Sequence, residues 1–129
     1  MNQTVFTDRI LEKTTPKITA VIKDEAGTPI PGTSLVTLTL TLYNMSEPPT
    51  HAIINSRSAQ NVLNVNGVTV DAEGNLAWQL ASADTAMQNS ALSKEAHRAE
   101  FRWTYESGSD TLVGSYIIDM TIQNLEKVA

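Results

Sequence analysis

The chain of 129 residues carries nine basic and fourteen acidic side chains, a net charge of −5, and no cysteine. That length suits one domain built around one core. The missing cysteine excludes disulfides, thiolate metal sites and thiol catalysis, and scattered basic residues in an acidic chain argue against a phosphate backbone as partner.

Residues 1–15 read as an N-terminal arm. They are polar, with Val5, Phe6, Ile10 and Leu11 interspersed, and Pro16 disfavours a helix running on into the next segment. Apolar residues isolated in a polar stretch need a surface to cover them. These four are therefore candidate interface residues for docking on a neighbouring subunit; a frayed end is the alternative. The segment lacks the basic-then-apolar pattern of a signal peptide, and no apolar run reaches the roughly 20 residues of a membrane span. The expectation is a soluble protein made in the cytoplasm, with neither nucleic acid nor membrane as partner. Asn2-Gln3-Thr4 and Asn44-Met45-Ser46 match the glycosylation sequon and read as chance matches.

A β-sandwich is expected over 16–124, with a short tail at 125–129. Lys17 to Lys23 alternates, with Ile18, Ala20 and Ile22 on one side, and the turn-rich run from Asp24 to Gly32 ends it. Thr33 to Asn44 is the clearest strand. Val36, Leu38, Leu40 and Leu42 share one face and Thr37, Thr39, Thr41 and Tyr43 the other; β-branched residues on a pleated surface and a strict period of two rule out an amphipathic helix. Pro48-Pro49 breaks the chain. His51 to Asn55 is a short strand candidate, and Ser56 to Asn66 a polar loop running into another. Val68 to Val70 leads into a hairpin turn at Asp71 to Asn75, with Gly74 at positive φ, and Leu76, Trp78 and Leu80 then point inward. Ser82 to Ser93, with Ser82 as N-cap, reads as a helical turn crossing between sheets.

From Ala96 to Glu106, His97, Ala99, Phe101, Trp103 and Tyr105 take the inner face. Arg98, Glu100 and Arg102 take the outer one, where the opposing strand presents Asp119, Thr121 and Gln123. Cross-strand charge pairs are the plain reading of this face; an interface using Arg98 and Arg102 is the sharper one. Ser107 to Asp110 turns the chain, and Leu112, Gly114, Tyr116, Ile118, Met120 and Ile122 fall in phase on the last strand. The sum is an all-β fold, an immunoglobulin-like sandwich of about seven strands with one short helical crossing.

Three sites are weighed and set aside. His51 and His97 have no third ligand at metal-binding spacing. Serines and aspartates abound, but no Gly-x-Ser-x-Gly elbow accompanies them. Asp71 to Asn75 lacks the spaced acidic series and distal glutamate of a calcium loop. No catalytic, cofactor or metal residues are expected, and the chain reads as non-enzymatic.

The stretch Gly74-Asn75-Leu76-Ala77-Trp78-Gln79-Leu80, the step Ser82-Ala83-Asp84-Thr85-Ala86, and Ala96 to Tyr105 followed by Ser107-Gly108 together resemble the immunoglobulin-like domain of phage baseplate upper proteins and related small virion proteins. Ile18 to Gly27 and Thr37 to Leu40 extend the resemblance to roughly residues 16–123. Pro48-Pro49 and the long Ser56–Asn66 segment depart from it. The resemblance implies a non-enzymatic virion component, in the tail or baseplate or decorating the capsid. Its partners would be other virion proteins and copies of itself in a multi-copy array, and its place the virion, after synthesis in the host cytoplasm. The alternative is a stand-alone β-sandwich module for carbohydrate or a cell surface, for which Trp78 and Trp103 would have to be exposed.

Overall fold

The computed structural model describes residues 2–5, 10–24, 26–46, 52–88 and 91–124, with only the backbone at 2–5 and at 107. Nine strands lie among them: β1 (Asn2–Val5), β2 (Ile10–Leu11), β3 (Lys17–Val21), β4 (Leu35–Asn44), β5 (Gln60–Asn61), β6 (Val68–Val70), β7 (Asn75–Gln79), β8 (Lys94–Ser107) and β9 (Asp110–Gln123). They form two sheets. The larger has the order β1-β9-β8-β4-β5, with β2 also on β9; the smaller has the order β3-β7-β6. The fold is all-β.

Inward residues of both sheets make one core. Leu38, Leu40 and Leu42 from β4, Trp78 from β7, Phe101 and Trp103 from β8, and Ile118 and Ile122 from β9 are buried together, as their alternation predicts. The Trp78 and Phe101 rings meet edge to face across the sheets, 5.5 Å between centroids, an arrangement that sets a positive ring edge against a negative face. Tyr116 is only half-buried. Val36 does not belong to the core at all and is 49% exposed. A bulge between Leu35 and Thr37 inserts one extra residue opposite β8. Alternation shifts there by one, and Leu35 takes the inward place instead.

Two turns follow the local chemistry. Gly74 has φ +83° and closes the β6–β7 hairpin. Asp71 Oδ1 accepts the N–H of Glu73 and of Asn75 there, and Asp71 Oδ2 accepts from Asn75 Nδ2. These bonds, those from Asn75 foremost, hold the Asp71 carboxyl below the usual range. The β8–β9 hairpin closes through Gly108-Ser109, with Gly108 at φ +65°; glycine at the first central position matches the strand twist. The crossing after β7 is less helical than its composition predicts. A single 3₁₀ turn spans Ser82–Asp84, and its N-cap is Ala81, not Ser82. Asp84 does the capping from inside the turn, accepting the Ala81 N–H at 2.7 Å.

The N-terminal segment is the largest departure from the sequence reading. Where residues 1–15 were expected to stand outside the sandwich, β1 and β2 lie parallel along β9, with Asn2 opposite Tyr116 and Ile10 opposite Ile122. Ile10 is 4% exposed and part of the chain's own core. For Ile10, the surface that an isolated apolar residue requires comes from the same chain, whereas Leu11 stays 40% exposed. Phe6, His51 and the 125–129 tail lie outside the described residues.

Candidate functional site

The outer face of the large sheet is the first candidate surface. Arg98 and Asp119 sit opposite each other on β8 and β9. They form a two-pronged pair, Nε to Oδ1 at 2.6 Å and Nη2 to Oδ2 at 3.1 Å. The Asp119 bond, with smaller help from Tyr43, raises the Arg98 pKa above its ordinary value. Arg98 is thus engaged within its own sheet. Arg102 lies four residues on, opposite Ser115, with its Nε 3.5 Å from Glu100 Oε1 and most of its side chain in solvent. Glu100 faces Ile117, and of the expected row Asp119 meets Arg98, Gln123 meets Lys94 and Thr121 meets Ala96. Thr37 and Thr104 share a hydroxyl hydrogen bond at 2.8 Å, and the exposed Val36 and Val113 flank that pair. Leu11, the remaining candidate apolar residue with a described side chain, is 40% exposed beside Gln123. Val5 takes part through the β1 backbone pairing, opposite Asp119. The structure therefore gathers Arg98, Arg102 and the N-terminal strands on one sheet, with Ile10 turned into the core.

A second constellation is buried and was not visible in the sequence. Asp84, fully buried, accepts from Arg57 Nε at 2.5 Å, Arg57 Nη2 at 3.0 Å and Asn55 Nδ2 at 2.8 Å, besides the Ala81 N–H. Arg57 also donates to Gln60 Oε1 and the Asn66 carbonyl, and its guanidinium lies 5.9 Å above the Trp78 ring. Four of its five N–H groups are thereby satisfied. This arginine ties down a loop with five non-glycine residues at positive φ: Asn55, Ser56, Ala59, Asn64 and Asn66. Left-handed backbone costs energy outside glycine and persists where the surroundings over-determine it.

On the same side, Glu95 and His97 are each 1% exposed, and His97 Nε2 lies 2.6 Å from Glu95 Oε1. Glu95 Oε1 also accepts the Gln88 N–H. Burial lowers the His97 pKa, against the raising pull of Glu95 and of the Asp84 backbone. The inward phase of His97 was legible. Glu95 was missed, although it stands two residues before His97 and shares its period-two phase. Arg57 and Asp84 sit in aperiodic segments that carry no such signal.

Chemically, the Arg57–Asp84 ion pair and the Glu95–His97 hydrogen bond hold segments together. Among the described residues, no group of three or more histidine, aspartate or glutamate side chains is placed to hold a metal ion, and none forms a helix long and apolar enough to cross a membrane. Both tryptophans are core residues, Trp78 at 0% and Trp103 at 2% exposure, so neither offers a ring face to a sugar. Gly114 explains part of this: it stands opposite Trp103, and a Cβ there would overlap the indole. No known protein family matches the chain, and no curated protein sequence matches it.

Proposed function

We infer that the domain is an immunoglobulin-like sandwich serving as a non-enzymatic structural component of a phage virion, in the tail or baseplate or on the capsid. The observation that carries the fold reading is the strand order. Taking β3, β7 and β6 as B, E and D of an immunoglobulin sandwich, and β4, β8 and β9 as C, F and G, accounts for both sheets. The parallel pairing of β1 on β9 then gives the first strand its place at the edge of the C-F-G sheet.

The virion reading is supported by the resemblance of residues 16–123 to small virion proteins. It is also supported by a polar, cross-linked sheet face with exposed Arg102, Val36 and Val113 that is open to protein contacts. Fold alone does not assign function, so the test is direct. Purified particles of the phage whose genome encodes the chain should contain it in many copies by quantitative mass spectrometry. Its absence from such particles would sink the reading. Truncation of the N-terminal segment would not test it cleanly, because β1 and β2 belong to the sheet.

A further inference from the structure

β9 is fourteen residues long, and the described residues cover its outer edge over only part of that length. β1 begins at Asn2, opposite Tyr116. Among the described residues nothing pairs with Asp110 to Ser115 on the side away from β8. The direction of the backbone groups follows from two bonds at the other end. Asn124 N–H reaches the Ser93 carbonyl on the β8 side, while the Gln123 carbonyl accepts Glu12 N–H on the β2 side. Backbone groups alternate sides along a strand. Even-numbered residues of β9 therefore bond β8, and Thr111, Val113 and Ser115 direct their N–H and C=O groups off the free edge.

A cleft of about 650 Å³ runs beside this edge. Its floor and near wall are Trp103, Tyr105 and Leu112 to Ser115; the far wall is the turn at Lys23, Asp24 and Gly27. The cleft exists because the β8–β9 hairpin is long and the strands of the facing sheet are three to five residues. Val113, 68% exposed, stands at its lip. Gly114 leaves the middle of the edge strand without a side chain. Of the charged groups lining the cleft, Asp24 is turned on its own loop, with Oδ1 accepting the Ala26 and Thr28 N–H groups at 2.9 Å each. Lys23 and Arg102 are the two cations lining the cleft, Arg102 with Glu100 Oε1 3.5 Å from its Nε and two-thirds of its side chain in solvent.

We propose that this edge and cleft receive an extended peptide from a neighbouring chain, added to β9 as a strand. Unpaired N–H and C=O groups at alternate positions are matched by another peptide backbone, and edge strands bind partners in this way. β1 already occupies the same edge as a parallel strand, so the guest continues its line toward the hairpin turn. Its inward residues, over Leu112 and Gly114, are apolar. Its outward residues are acidic, beside Arg102, with Lys23 across the cleft. The free edge stands on the pairing itself; that the donor is a virion neighbour rests on the function proposed above.

The test uses the full chain and a labelled, end-capped six-residue peptide of alternating valine and glutamate. Amide hydrogen exchange should slow at Thr111, Val113 and Ser115 when the peptide is added, while Leu112 and Gly114 are protected from the start. Binding measured by fluorescence anisotropy should fall at least tenfold for V113P, which removes an unbonded N–H at a strand edge where proline is tolerated. It should fall by a similar factor for a valine–lysine peptide. Equal binding by V113P, or protection confined to other amides, would overturn the proposal, as would peptide-independent protection of Val113. Self-association abolished by V113P, with no peptide bound, would make a second copy the occupant and overturn the peptide. Should V113P fail to fold, the exchange pattern of the unmodified chain decides alone. Loss of peptide binding with the chain present in virions rejects the cleft and spares the virion reading; the reverse result rejects the virion reading and spares the cleft.

Discussion

The β8–β9 hairpin and the polar end formed by the 55–67 loop and the 82–88 crossing are held by opposite means. The hairpin is long, regular and registered residue by residue, from Lys94 opposite Gln123 to Ser107 opposite Asp110. Its stability comes from apolar side chains on one face, a contribution that scales with area and tolerates small shifts. The polar end has little regular structure and several left-handed residues, and it depends on the Arg57–Asp84 ion pair and the Glu95–His97 hydrogen bond. A buried ion pair recovers its desolvation only while both partners and their hydrogen bonds stay in place. One region fails gradually and the other all at once.

The sharpest way to break that contrast is Asp84→Ala. It leaves the Arg57 guanidinium buried with its main partner gone, at a cost of about 3–5 kcal/mol. Chemical denaturation should show a large drop in midpoint, and the double variant Arg57→Met/Asp84→Leu should recover much of it. A double variant as weak as Asp84→Ala would mean that the apolar surroundings, not the charges, hold the loop. On the hairpin side, Leu40→Ala in the adjoining β4 should cost about 2–5 kcal/mol, because Leu40 is fully buried opposite Phe101. Amide exchange should speed up across β4, β8 and β9 together in that variant, and in Asp84→Ala mainly at 55–67 and 82–88.

Legibility divides along the same line. Period two gave away the inward faces of β4, β7, β8 and β9, and Gly74 and Gly108 marked their turns, because each of these signals is local. Val36 defied its own pattern because a bulge is set by the partner strand. The N-terminal segment read as an arm because parallel pairing with β9 links residues more than 110 positions apart, and nothing local announces it. Arg57 and Asp84 were illegible for the same reason: a buried charge is explained only by a partner 27 residues away. Of the candidate contact residues, Arg98 and Arg102 were correctly set on an outer face, while Ile10 went to the core.

Acid sharpens the comparison further. Burial holds His97 below its ordinary value of 6.5, so the unfolded chain takes up this proton first as pH falls. The stability linked to His97 is complete above about pH 6.5 and is lost as pH drops toward the depressed folded value, by up to about 1.4 kcal/mol per pH unit. Denaturation midpoints at pH 7.5 and 5.5 should differ more for the natural chain than for His97→Gln, which keeps a donor for Glu95. An equal pH response would show that other groups dominate. The smallest effect belongs to the surface of the hairpin. A double-mutant cycle on Arg98 and Asp119, both only half-buried, should give a coupling of about 0.2–1 kcal/mol, and more than that would place this pair with the buried ones.

The parallel seam between β1 and β9 also has a mechanical meaning. Asn2 lies beside Tyr116 and Ile10 beside Ile122, so the two strands run the same way along one edge. A pull applied at the two ends of the chain therefore slides β1 along β9 and loads the hydrogen bonds of the seam in shear, several at a time. A hairpin pulled from its open end would instead unzip one bond after another. A domain tethered at both ends would resist stretching first at the seam, before the core was asked to yield.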